Sequence, residues 1–133
     1  MKVAVTGGRS FSAREVVYLA LSRANKRERI TFVLHGACPS GVDAHAAAWA
    51  MDHGVEHSVR TYAADWDKYG KAAGPIRNRE MLTTEKPDLV LVFPGGRGTR
   101  DCELQARKLG LNVELVATGY DATGRLLPVK DEG

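Results

Sequence analysis

With 133 residues, 44% of them apolar and 26% charged, the sequence has the makeup of one soluble globular domain and is too short for two cores of ordinary size. The formal charge of +3 suits an anionic ligand or a nucleic acid, and so small an excess does not decide between them. No stretch approaches the roughly 20 apolar residues of a membrane helix, residues 1–8 hold only a short apolar run without the makeup of a signal peptide, and Cys38 and Cys102 form no Cys-x-x-Cys pair, so a reduced cytoplasmic protein is expected.

In chain order, residues 2–6 (Lys-Val-Ala-Val-Thr) read as a short buried strand ending on Gly7-Gly8-Arg9-Ser10. Ser12 and Glu15 have the spacing of a capping box, in which the serine accepts from the N–H of residue 15 and the glutamate reaches back. The helix they open carries Val17, Leu21 and Ala24 on one face and ends in the basic stretch 23–29, a composition that suits a helix C-terminus. Residues 31–35 form a second strand closing on the turn 36–41, and Val42, Ala46, Trp49 and Ala50 define a helix that Gly54 stops. A weaker third strand follows over 56–63. Residues 64–75 show no periodicity, hold Trp66, Tyr69 and Lys71, and read as a long loop able to close over a site. A short helix over 76–85 precedes residues 89–93, Leu-Val-Leu-Val-Phe, whose unbroken apolar character fits a strand buried on both faces. Pro94-Gly95-Gly96-Arg97-Gly98-Thr99 then leads into a helix with Cys102, Ala106 and Leu109 at helical spacing, and residues 112–117 make a fifth strand. The stretch 118–133 is a C-terminal extension with Asp-Ala-Thr-Gly turn chemistry and at most one edge strand, over 126–129.

Strands alternating with helices predict an α/β fold: a single Rossmann-like three-layer domain over 1–117, its parallel sheet in the strand order 3-2-1-4-5. The winding then reverses between strands 1 and 4, which places Gly7-Gly8-Arg9-Ser10 beside Pro94–Thr99. Glycines let the backbone N–H groups approach a ligand closely, and the helix that follows the turn aims its unpaired N–H groups and positive dipole end at the same point. An anion site is expected there, with phosphate the usual occupant.

Four motifs occur in order: Val-Thr-Gly-Gly-Arg-Ser-Phe (5–11), His-Gly-Ala-Cys-Pro-Ser-Gly-Val-Asp (35–43) with Trp49-Ala50, Asp65-Trp66 with Gly-Lys-Ala-Ala-Gly-Pro-Ile-Arg-Asn (70–78), and Phe-Pro-Gly-Gly-Arg-Gly-Thr (93–99). Together they resemble the YspA/YpsA-related branch of the SLOG superfamily, which joins the Smf/DprA proteins with the LOG enzymes. The resemblance implies a nucleotide or phosphorylated nucleotide derivative as ligand, bound as a sensor or carrier would bind it. LOG enzymes are phosphoribohydrolases, N-glycosidases that cut the base from a nucleoside 5′-monophosphate, and that activity is the alternative; single-stranded DNA binding as in Smf/DprA is a third reading. The LOG motif Pro-Gly-Gly-x-Gly-Thr-x-x-Glu is matched through Thr99, but Cys102 stands in the glutamate's place and Glu103 follows one residue later, about 100° around the helix. The same likeness gives Arg77, in Arg77-Asn-Arg-Glu-Met81, the role of the LOG catalytic arginine. Arg77 and Glu103 are therefore the catalytic candidates, with Asp101 a rival carboxylate and Arg107 placed to pair with Glu103.

The expected ligand-binding residues are Gly7, Gly8, Arg9, Ser10, Gly36, Gly41, Asp43, Trp66, Lys71, Arg77, Asn78, Pro94, Gly95, Gly96, Arg97, Gly98 and Thr99. Asp43 is read equally as a carboxylate favoured by a helix dipole and, by likeness to Smf/DprA, as a border of the crevice. Trp66 either stacks on a base or plugs a seam, and Lys71 meets a phosphate or solvent. The four histidines lack metal-ligand spacing, so neither a metal nor a cofactor is expected. The expected partner is a small nucleotide-like molecule, with no membrane, with nucleic acid disfavoured and with a homodimer left open.

Overall fold

The computed structural model of the chain describes residues 1–57 and 64–128. Strands β1 (Lys2–Thr6), β2 (Phe32–Leu34), β3 (Glu56–His57), β4 (Leu89–Val92) and β5 (Val113–Leu115) form one parallel sheet in the order β3-β2-β1-β4-β5. That is the order expected from the sequence. Val3 of β1 pairs with Val33 of β2 on one side and Leu89 of β4 on the other, so β1 lies at the centre. The third strand was expected over 56–63; residues 58–63 fall outside the described residues.

Both faces of the sheet are covered, and strand alternation decides which side chain goes where. Val3, Val5, Leu91 and Phe93 face helices α1 (Arg14–Arg27) and α2 (Gly41–Asp52), in a core completed by Phe11, Val17, Leu21 and the fully buried Trp49. Ala4, Val90 and Val92 face α4 (Ala73–Glu85) and α5 (Arg97–Lys108), where Met81, Leu82, Cys102 and Ala106 close the second core. The stripes read from sequence on α1, α2 and α5 are the stripes that are buried, except that Leu109 is 47% exposed. Among the described residues, no helix is long and apolar enough to cross a membrane.

Two local expectations are corrected. The capping box does not form: α1 begins at Arg14 without a side-chain cap, and the Ser12 hydroxyl instead donates to the carbonyl of Thr123, which also accepts the Ser12 N–H (2.8 and 2.9 Å). Residues 64–75 are not an irregular loop. They contain α3 (Trp66–Tyr69), a 3₁₀ turn (Gly70–Ala72) and the first turn of α4. These pieces are too short to bury a stripe, so they leave no periodicity; the Asp65 side chain caps α3 by accepting from the Lys68 N–H (3.1 Å). The described part of the extension, residues 118–128, folds back as a strap, with Tyr120 edge-on to Phe11 at 6.3 Å and an isolated antiparallel bridge between Tyr120 and Leu126; residue 129, the end of the expected edge strand, lies outside the described residues. Asp121 shapes it, its Oδ1 accepting from the Thr123 and Arg125 N–H groups and the Thr123 hydroxyl.

Candidate functional site

Above the carboxyl ends of β1, β2 and β4 lies a cavity of about 460 Å³. Its floor is the end of β1, Val5 and Thr6. One wall is the turn after β1 (Gly7, Gly8, Arg9), another the turn after β2 (Gly36 to Ser40, with Asp43), and a third the start of α5 (Gly96, Arg97, Gly98, Thr99). Ala64, Trp66, Arg77, Asn78 and Met81 supply the remaining side. The turns are tied to one another: the Gly8 N–H donates to Pro94 O (2.9 Å), the Val42 N–H to Gly8 O (3.2 Å), and the Ser40 hydroxyl to Arg9 O (2.7 Å). The meeting of the first and fourth turns at the reversal point is thus a direct backbone contact.

The turn after β2 spends its N–H groups on the protein. Asp43 Oδ2 accepts from Gly36 N–H (3.1 Å) and Cys38 N–H (3.2 Å), and His35 Nδ1 accepts from Ala37 N–H (3.0 Å), which holds Ala37 at a φ of 57°. Because Nδ1 accepts, the His35 proton sits on Nε2, 3.0 Å from His57 Nδ1. Burial, helped by neighbouring His57, lowers the His35 pKa to about 4. Burial also raises the Asp43 carboxyl above its ordinary range, against the opposing pull of the Cys38 N–H, Arg77 and the Gly36 N–H.

Arg77 is fixed from two sides. Its Nε donates to Asn78 Oδ1 (2.8 Å) and its Nη1 to Gly36 O (3.0 Å). A Cβ on Gly36 would stand 2.0 Å from that Nη1, so the absent side chain is the seat of the guanidinium. Asn78, 3% exposed, donates through Nδ2 to Gly98 O (3.2 Å) and Asp101 Oδ2 (3.1 Å) and so links Arg77 to the start of α5. At that start, no helical carbonyl lies behind the first N–H groups of α5, and Arg97 adds a full positive charge beside them.

Of the residues expected to bind ligand, Gly7, Gly8, Arg9, Gly36, Asp43, Trp66, Arg77, Asn78, Gly96, Arg97, Gly98 and Thr99 line this one cavity. Ser10, Gly41, Lys71, Pro94 and Gly95 do not. Gly41 and Pro94 stand behind the wall, Gly41 at φ +68° against the backbone of Gly8 and Arg9, and Lys71 is exposed on the 3₁₀ turn. Neither catalytic carboxylate candidate lines the cavity. Glu103 pairs with Arg107 at 2.9 Å, and Asp101 accepts from Asn78 and from Gln105 Nε2 (2.7 Å). Sequence reasoning missed Thr6 and Ser40; Thr6 was findable as the last residue of a central parallel strand, the end at which open α/β sheets take ligands. Burial pushes the Cys102 thiol up to about 11, so it is a core side chain and not a nucleophile.

A model of the family described as YAcAr: YspA, cpYpsA-related SLOG family, matches residues 1–69. Gene 61 protein of Mycobacterium phage D29 is 37% identical over 117 residues, 84% of this chain and 93% of that protein. The chain belongs to the YspA, cpYpsA-related SLOG family. Solved structures share its fold at lower identity. A Listeria monocytogenes protein described as a UDP-N-acetylglucosamine 2-epimerase matches with a TM-score of 0.54 and 14% identity, over 89% of this chain and 31% of that one. The Methanocaldococcus jannaschii UDP-GlcNAc 2-epimerase in complex with UDP-GlcNAc and UDP matches with a TM-score of 0.51 and 20% identity, over 90% of this chain and 33% of that one. The SLOG chain therefore spans about a third of those structures, and the likeness is one of fold.

Proposed function

We propose that this SLOG protein binds a nucleotide or other phosphorylated nucleotide derivative in the switch-point cavity, as a sensor or carrier of that ligand. The observation that carries the reading is the amino end of α5, whose unpaired N–H groups open on the same cavity as Arg9, Arg77 and Arg97. Phosphate lies at that end, and half-exposed Trp66 on the cavity wall offers a flat face for a base.

Hydrolysis of the N-glycosidic bond is the less favoured activity. It develops positive charge on the ribose, so a carboxylate must face the anomeric carbon and a water. Glu103 is held by Arg107 away from the cavity wall, and Asp101 is engaged by Asn78 and Gln105. Binding without base release is the expected behaviour.

A Cβ on Gly96 or Gly98 meets nothing within 4 Å, so Gly96→Val and Gly98→Val leave the packing intact while filling the space before the helix end. Calorimetry with a panel of nucleoside mono- and diphosphates, beside circular dichroism, should show folded variants with binding lost. Undiminished binding in both would overturn the site. Chromatography of free base from nucleoside 5′-monophosphates decides the activity: turnover in the parent, abolished by Glu103→Gln and by Arg77→Ala, would replace the binder with the hydrolase.

A further inference from the structure

The cavity is not uniformly cationic. Among the described residues that line it, Asp43 is the one carboxylate, set in the first turn of α2 at the end of β2. The open N–H groups of α5 stand at the end of β4. Strands β2 and β4 flank β1 on opposite sides, so two strand spacings, about 10 Å, separate the two ends. A phosphate is drawn to the α5 end, where the N–H groups are open, whereas at the other end the Asp43 carboxylate offsets the attraction of Arg77. What Asp43 accepts is a donor: it carries no proton of its own to offer as a carboxylate, and an uncharged hydroxyl is the donor that a sugar supplies next to its phosphate.

We infer, resting on the nucleotide-binding reading above, that Asp43 reads a ribose hydroxyl and makes the cavity selective for ribonucleotides over their deoxy forms. The plain structural role of Asp43 accounts for only part of it. Its Oδ2 holds the Gly36 and Cys38 N–H groups and so staples the turn, which uses two of about four acceptor positions on the carboxylate. Asparagine can keep that staple, because its amide oxygen accepts the same two N–H groups, while it loses the charge and turns the remaining oxygen into a donor. Staple and selectivity are therefore separable in one substitution. Arg77, whose Nη1 donates to Gly36 O, stands at the same end and offsets part of the aspartate's charge without taking its place on the turn.

The experiment is calorimetric titration of the full chain with adenosine 5′-monophosphate, its 2′-deoxy and 3′-deoxy forms, and ribose 5-phosphate as a probe free of any base, on the parent and on Asp43→Asn. The parent should bind one of the two deoxy forms at least about tenfold more weakly than the ribonucleotide, the loss expected for one charge-assisted hydrogen bond. In Asp43→Asn that ratio should shrink to within about threefold, with an unchanged circular dichroism spectrum. Equal affinity of the parent for all three adenylates, or an unchanged ratio in a folded Asp43→Asn, overturns the inference and leaves the nucleotide site standing. Failure of every probe, ribose 5-phosphate included, to bind the parent removes the nucleotide site itself.

Discussion

Acid should weaken this protein through one residue, His35. It is 4% exposed, accepts the Ala37 N–H through Nδ1 and faces His57 through Nε2, an arrangement that only the neutral ring satisfies. Protonation places a hydrogen on Nδ1 against the Ala37 N–H and puts a charge in a buried site. The sign follows from linkage: the folded pKa, about 4, lies below the ordinary histidine value of 6.5, so between these values the unfolded chain binds more protons and stability falls as pH falls. Between pH 7 and pH 5 the loss comes to about 2 kcal/mol, which for a domain of this length lowers Tm by about 7 °C. The loss also frees Ala37 from its left-handed conformation and loosens the turn that bears Asp43 and Arg77's anchor. The assay is urea denaturation of the parent and of His35→Asn at pH 7 and pH 5. Asparagine can present its amide oxygen to the Ala37 N–H but does not titrate, so the variant starts less stable through its lost ring and then changes little with pH. Equal losses in parent and variant would refute the assignment of acid sensitivity to His35.

Other outcomes follow from single contacts. Gly36→Ala should stay folded, because the obstructing atom is the mobile end of Arg77, yet lose phosphate-ligand affinity as fully as Arg77→Ala; calorimetry showing parental affinity would mean that Arg77 does not touch the ligand. Gly41→Ala meets backbone, with its Cβ 2.1 Å from Gly8 O at a φ of +68°, and should cost more than about 2 kcal/mol in denaturant midpoint. A midpoint equal to the parent's would contradict the close approach of the two turns. Asp43→Asn should be neutral or slightly stabilising at pH 7, since a raised carboxyl means that the folded state holds the proton more tightly and that ionisation costs stability as pH rises. A clear fall in its midpoint at pH 7 would show that attraction to Arg77 outweighs burial.

The strand order was legible because the signals for it are local: apolar runs at 2–6 and 89–93, helical spacing between them, and glycines after the strands. What escaped reading depends on partners far along the chain. Ser12 has the spacing of a cap, but a carbonyl 111 residues later takes its hydroxyl. His35 looks like one more histidine until His57 is set beside it, 22 residues on. Gly36 looks like a turn glycine, whereas its missing Cβ makes room for a guanidinium 41 residues away. The pieces of 64–75 failed for the opposite reason, being too short to show any period.

The glycine turns also look alike in sequence, each a cluster of small residues after a strand with the makeup of a ligand-binding turn. Their hydrogen bonds separate them. After β2 the N–H groups of Gly36, Ala37 and Cys38 are all taken by His35 and Asp43, and after β1 the Gly8 N–H is taken by Pro94. The start of α5 differs in kind, because helix geometry itself leaves its first N–H groups without partners. The glycines at 7, 8, 36 and 41 therefore serve mainly to let backbone and side chains approach one another: Gly7 has Val42 and Phe93 at its back, Gly8 the strap carbonyl of Ala122, Gly36 the arginine, and Gly41 the first turn. Gly96 and Gly98 have open space where a side chain would be. Glycine that faces protein and glycine that faces a cavity are the same letter in a sequence, and the substitutions at 41 and at 96 and 98 should part them, the first through stability and the others through binding alone.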